Sequence, residues 1–276
     1  MRDDRPLSDV KILDLMWVMA GPASTRILAD YGATVVRIES PTRVDTARTL
    51  QPYHGNKLGP DSSGLFANCN AGKLGIALDL GNPAARAVIF DLVKWADVVT
   101  ESFSPKAMRA WGFEYEQLRK VKPDIIMLSS CLMGQTGPIA KIAGYGNMAA
   151  AISGFHNLTG WPDRPPAGPF GAYTDYISPR FSAMAILAAI DYRRRTGEGQ
   201  FIDQSQSECS LHFLGPAILD YTVNGRVQIR AGNTDSGFAP HGVYPVAGED
   251  KWVAIVCRSD GDWRRLCAVI GREELA

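Results

Sequence analysis

Between residues 10 and 129 apolar runs alternate with helix-like stretches, and that rhythm restricts the fold more than any other feature. Residues 10–15 (VKILDL), 34–39 (TVVRIE), 76–80, 98–101 and 125–129 read as short buried strands. Helices are expected between them at 22–31, 83–95, 105–111 and 115–120, with Asn82–Pro83 a good helix start. Strand and helix in strict alternation predict an α/β fold, a Rossmann-like parallel sheet covered on both faces with right-handed crossovers. The first β-α-β unit turns through MAGPAS and lacks the GxGxxG pattern that lets a backbone approach a pyrophosphate. An NAD-dependent oxidoreductase is therefore disfavoured. Ligands of such sheets bind beyond the carboxyl ends of the strands, here residues 16–21, 40–48, 101–106 and 129–137.

Residues 41–64 are rich in Pro, Gly, Asp and Ser and read as a long surface loop. Further on, a helix near 147–154, a strand at 200–203 and a helix over 205–223 are expected. Asn224–Gly225 signals a turn, and two short strands (241–245 and 252–257) and a helix (260–270) follow. The predicted organisation is a Rossmann-like domain over 1–228 and the beginning of a smaller α+β domain over 229–276.

Residues 171–200, GAYTDYISPRFSAMAILAAIDYRRRTGEGQ, carry one carboxylate, Asp175, ahead of an expected helix capped by Ser178 with Pro179 at its first position. The run 181–190 is apolar on every side, which predicts a buried helix. Arg193 to Arg195 and Gly197 suit its end. Lying beside a positive helix terminus, Asp175 is expected to stay ionised. It is either a cap or turn residue, or a nucleophile.

Lys plus Arg and Asp plus Glu each number 29, so charge gives no reason to expect nucleic acid or an anionic membrane as partner. Five cysteines without CxxC spacing read as reduced thiols of a cytoplasmic protein, with no metal site. The N-terminal MRDDRPLSD has no signal-peptide character, and no run of eighteen apolar residues would span a membrane.

In order along the chain, VKILDL…AGP, GATVVRIE, NAGKLGIALDL, ADVVTESFSPKAM, SSCLMGQTGP, TDYISPRFSAMAILAAIDYRRRTGEGQFID and APHGVYP…DKWVAIV resemble the family III CoA-transferases. This CaiB–BaiF group includes formyl-CoA transferase and carnitine-type CoA-transferases. The resemblance implies that Asp175 attacks an acyl-CoA thioester to give an acyl-aspartyl anhydride. The released thiolate then forms an aspartyl-CoA thioester, and an acceptor carboxylate collects the CoA. Carried over by position, CoA contacts fall on Val18, Met19, Ser40, Leu78, Ser102, Phe103, Ala110 and Cys131. Met19 stands where formyl-CoA transferases have glutamine, Ser40 and Ala110 replace arginines, and Cys131 replaces a lysine. Arg37, Arg48, Lys106 and Arg109 lie close enough in sequence to supply the missing charge.

The glycine-rich loop of formyl-CoA transferases is reduced to Gly237 within 233–241, which implies an acid larger than formate or oxalate. CoA and acyl-CoA are expected as substrates with a small carboxylic acid, and no tightly bound cofactor. The family forms interlocked dimers, so a homodimer or a related subunit is the expected partner, and members run beyond the length of this chain. Two alternatives follow from the same resemblance. An α-methylacyl-CoA racemase carries a GHD motif that aligns with Gly144-Tyr145-Gly146, where tyrosine, with a pKa of about 10, is a poor base, although His156 is close in sequence. A scaffold subunit of a hetero-oligomeric transferase would be inactive alone.

Overall fold

The computed structural model describes residues 4–276, so the first three residues of MRDDRPLSD, on which the signal-peptide reading partly rests, lie outside the described residues. In chain order the elements begin with β1 (Lys11–Asp14), α1 (Ala20–Asp30), β2 (Thr34–Glu39), α2 (Gly64–Asn70) and β3 (Leu74–Ala77). Then come α3 (Pro83–Trp95), β4 (Val98–Glu101), α4 (Pro105–Trp111), α5 (Tyr115–Val121) and β5 (Ile126–Cys131). They continue with α6 (Gly146–Ile152), α7 (Phe155–Leu158), α8 (Tyr173–Thr196), β6 (Phe201–Ser205) and α9 (Gln206–Leu211). Last are α10 (Gly215–Asn224), β7 (His241–Pro245), β8 (Trp252–Val256) and α11 (Asp260–Val269).

Two compact units result, Met1–Ser153 with Phe170–Gly215, and Gly154–Pro169 with Pro216–Ala276. This division differs from a single cut at residue 228, because the second unit takes the excursion 154–169 as well as 216–228.

The first unit is a parallel sheet in the order β3-β2-β1-β4-β5-β6. Successive strand residues face opposite sides, so each strand feeds two cores. Ile12, Val35, Val98 and Leu128 pack with Leu28 of α1 and Ile186 and Ile190 of α8. Their neighbours Leu13, Val36, Val99 and Met127 pack with Ile89 and Val93 of α3 and Leu118 of α5. Strand order reverses between β1 and β4, which opens a crevice beyond their carboxyl ends.

Several elements depart from the sequence reading. The stretch 41–64 is more ordered than a loop, with 3-10 turns at Thr46–Thr49 and His54–Asn56, and it leads into α2, capped by Ser63. β3 starts two residues earlier than expected because its register is fixed on β2, with Val36 opposite Leu74. The helix expected over 205–223 is interrupted at His212–Leu214, just before Pro216, which has no N–H to continue it.

The largest correction concerns α8. It begins at Tyr173, so Asp175 lies in its first turn, while Ser178 and Pro179 are buried inside the helix. Tertiary bonds draw that turn into the helix: the Thr174 hydroxyl lies 3.2 Å from both the Gly146 carbonyl and Gln206 Oε1. Nor is α8 covered all round, since Met184 is 55% exposed and Tyr176 and Leu187 line the same open face. An apolar surface on every side shows that no face is polar; it does not guarantee that every face is covered. The helix does end as read, at Gly197 (φ 79°), whose N–H bonds the Arg193 carbonyl.

The second unit holds α7, α10, the antiparallel hairpin β7–β8 and α11, tied to the excursion by the Gly232 N–H on the Gly160 carbonyl at 2.9 Å. Among the described residues no helix is long and apolar enough to cross a membrane. No cluster of three or more His, Cys, Asp or Glu side chains among them could hold a metal ion.

Candidate active site

The β1–α1 turn, the β4–α4 turn and the end of β5 converge where the strand order reverses. With Asp175, Gln206 and most of the 140–145 segment they line a cleft of about 700 Å³. A second cleft of about 420 Å³ lies beyond the ends of β1 to β4 and shares Trp17, Val18, Ser102 and Phe103 with the first.

Asp175 is buried and lines the larger cleft. Its Oδ2 accepts the Gly146 N–H at 3.3 Å, the first residue of α6. Burial pushes the carboxyl up to about 6, and the Gly146 N–H offsets only part of that rise. The rise runs against the helix terminus, which favours the ionised form, because withdrawal from water outweighs one amide dipole. The group is a carboxylate at neutral pH, poorly solvated and correspondingly reactive. Gly146 is sterically required. A Cβ there would lie 2.7 Å from the Ala172 carbonyl oxygen and the Asp175 nitrogen, and 2.9 Å from Asp175 Cγ. Replacing Gly146 with alanine is therefore expected to cost about 2 kcal/mol of stability and to lower turnover by displacing the carboxylate. Unfolding curves and initial rates check both.

The other sequence-predicted residues separate into groups. Val18, Met19, Ser102, Phe103, Lys106, Arg109 and Cys131 line the larger cleft with Asp175. Ser40 and Leu78 line the smaller one. Arg37, Arg48 and Ala110 line neither, and each has a visible reason. Arg37 is 2% exposed, paired with Asp45 and bonded to the Met16 carbonyl at 2.7 Å. Arg48 grips both oxygens of Glu39 at 2.8 and 2.9 Å, pairs with Asp61 at 2.8 Å and lies over the Phe66 ring. Ala110 is exposed on α4, away from both linings.

Local chemistry narrows what the remaining residues can do. The Cys131 thiol lies 3.2 Å from the Phe103 carbonyl oxygen, and burial with Glu101 and Asp203 nearby pushes it up to about 12. It is no nucleophile at neutral pH. Glu101 is buried behind it, accepts the Phe103 N–H at 2.7 Å and is raised to about 7 by burial. Ser102 accepts the Trp17 N–H at 3.0 Å, and the Trp17 and Phe103 rings meet edge-on at 6.0 Å. Arg109 is ion-paired with Glu114 at 2.9 Å. Lys106 and Lys141 line the cleft without an ion pair among the described residues.

Trp17, Lys141, Gly146 and Gln206 belong to this region but were not singled out from the sequence for these roles. Gly146 had a readable signal, a glycine following Tyr145 just before an expected helix. Gln206 had none.

The model for CoA-transferase family III matches residues 7–276. The chain is 38% identical over 272 residues to acetyl-CoA:oxalate CoA-transferase of Acetobacter aceti, covering 98% of this chain and 68% of that one. It is 36% identical over 268 residues to succinate–glutarate CoA-transferase of Agrobacterium fabrum, covering 96% and 66%. A CAIB/BAIF family protein from Brucella suis, solved by crystallography, superposes with a TM-score of 0.87 at 34% identity, over 99% of this chain and 72% of that one. The chain thus spans about two thirds of the length of these curated relatives. A matching family model over nearly every residue, relatives of this identity and a common fold agree: the chain belongs to CoA-transferase family III and is an enzyme of that family.

Proposed function

We propose that this enzyme moves CoA from an acyl-CoA thioester to a carboxylic acid through covalent intermediates on Asp175. The observation that carries this reading is a buried carboxylate opening onto the larger of the two clefts at the strand-order reversal, with a backbone N–H on one of its oxygens. An Asp175 oxygen attacks the thioester carbonyl carbon, the C–S bond breaks, and CoA departs as thiolate, leaving a mixed anhydride. The thiolate attacks the aspartyl carbonyl, expels the first acid as carboxylate and forms an aspartyl-CoA thioester. The acceptor carboxylate then repeats the sequence in reverse and restores Asp175. In each attack on the aspartyl carbonyl, negative charge develops on the oxygen beside the Gly146 N–H, which favours the transition state.

The substrates we infer are dicarboxylic acids. Relatives are named for oxalate, glutarate and, in Chloroflexus aurantiacus, D-citramalate. Lys141 offers the cleft an ammonium group with no ion pair among the described residues, suited to the far carboxylate. Lys141→Ala is expected to lower kcat/KM for succinyl-CoA by about tenfold or more, and for propionyl-CoA little. Oxalate stays in the acceptor panel, against the reduced glycine loop, because of the relative named for it.

The test is a matrix of acyl-CoA donors and acid acceptors, with the CoA thioesters identified by mass spectrometry. Transfer to at least one dicarboxylate is expected. No transfer in any pairing, with α-proton exchange in deuterated water, would instead support the racemase reading, although no histidine lines the cleft among the described residues. Five unpaired cysteines support a cytoplasmic setting. An interlocked homodimer is the assembly we propose, and a monomeric active enzyme by light scattering would contradict it.

A further inference from the structure

Val18 has φ 69°, in the left-handed region. The other non-glycine residues there among the described ones are Asn56 and Asp250, types whose short polar side chains tolerate it. A β-branched residue resists this conformation most, so something must hold Val18 in place. Both oxygens of Asp45 accept its N–H, at 3.1 and 3.2 Å. Asp45 is itself buried, accepts the Ala47 N–H at 2.9 Å and is ion-paired with the buried Arg37. Arg37 in turn donates to the Met16 carbonyl at 2.7 Å and to Asn70 Oδ1 at 2.9 Å. The pair thus grips the chain on both sides of Trp17, and Ser102 holds the Trp17 N–H between them. Trp17 and Val18 line both clefts, whereas Arg37 and Asp45 line neither.

We propose that Arg37 and Asp45 are positioning residues whose clamp keeps Val18 left-handed and so fixes the Trp17–Met19 turn as the wall against which CoA binds. For the ligand's identity this rests on the transferase reading above. The Arg37 that resembles a phosphate contact in sequence acts through the turn and not on the ligand.

The experiment is a double-mutant cycle with Asp45→Ala and Val18→Gly, read as CoA affinity by calorimetry and as amide hydrogen exchange of residues 16–19. Glycine enters the left-handed region without penalty, so the clamp has less to do in that background. Asp45→Ala is expected to weaken CoA binding about tenfold with Val18 present but less than about threefold with glycine there. It should also speed exchange of the Val18 amide at least about tenfold in the ligand-free enzyme. A merely structural Asp45 would give the same loss in both backgrounds, and that equality, or unchanged exchange, overturns the proposal. Should Asp45→Ala not fold, Asp45→Asn is carried through the same cycle and judged by the same two readouts. If the unmutated enzyme does not bind CoA but exchange responds as stated, the transferase reading falls and the clamp stands.

Discussion

Replacing Asp175 with alanine is expected to lower kcat/KM for CoA transfer by at least about 10³-fold. The size follows from the chemistry: Asp175 is the acid in the larger cleft with an oxygen on a backbone N–H, and the neighbouring thiol, Cys131, is held protonated. Among the described residues lining that cleft there is no second carboxylate to take over. Loss of function should come without loss of fold, because the deleted carboxylate is a poorly solvated group whose removal relieves a desolvation cost. An alanine variant that folds and turns over at the unmutated rate would refute the role.

The second large effect concerns pH. Burial raises the Asp175 carboxyl to about 6, above its value in an unfolded chain. A carboxyl with a raised folded pKa binds its proton more tightly in the native state. Its favourable contribution is therefore complete below the unfolded pKa, near pH 4, and is lost as pH rises through about 6. Asp175→Asn, which carries no charge at any of these pH values, should be more stable than the unmutated enzyme at pH 8 by up to about 3 kcal/mol. That advantage should shrink to nothing below about pH 4. Activity is expected to run the opposite way, with kcat/KM falling about tenfold per unit below pH 6 as the Asp175 carboxylate protonates. Glu101, raised to about 7 by burial behind Cys131, titrates nearby, so Glu101→Gln separates the two: it should keep the acid limb near 6. Denaturant unfolding and pH–rate profiles check both halves. Equal stability of Asp175→Asn and the unmutated enzyme at pH 8 would contradict the burial argument.

The sheet was legible because its strands must satisfy two cores at once. Leu13 and Ile12 face opposite sides, and a run such as VKILDL leaves few other readings. What stayed hidden depends on contacts distant in sequence. The first turn of α8 looked like a loop because Pro179 is a poor interior helix residue, and only the bonds from Thr174 to Gly146 and Gln206 reveal why the helix starts sooner. Arg37 looked like a source of charge for the phosphates because it lies close in sequence to Ser40, where the resemblance implies an arginine. Its partner Asp45 sits eight residues on, beyond the strand's end, so their pairing depends on how that loop folds back. Lys141 could not be read either, since a lysine in an irregular segment is ordinarily a solvated charge.

The most direct measurement is to incubate the enzyme with succinyl-CoA, quench with hydroxylamine and sequence the peptide carrying Asp175 by mass spectrometry. A hydroxamate on Asp175, absent from the Asp175→Asn variant, is the predicted result. Transfer of CoA between acids with no adduct at Asp175, or with an adduct on a different side chain, would contradict the account.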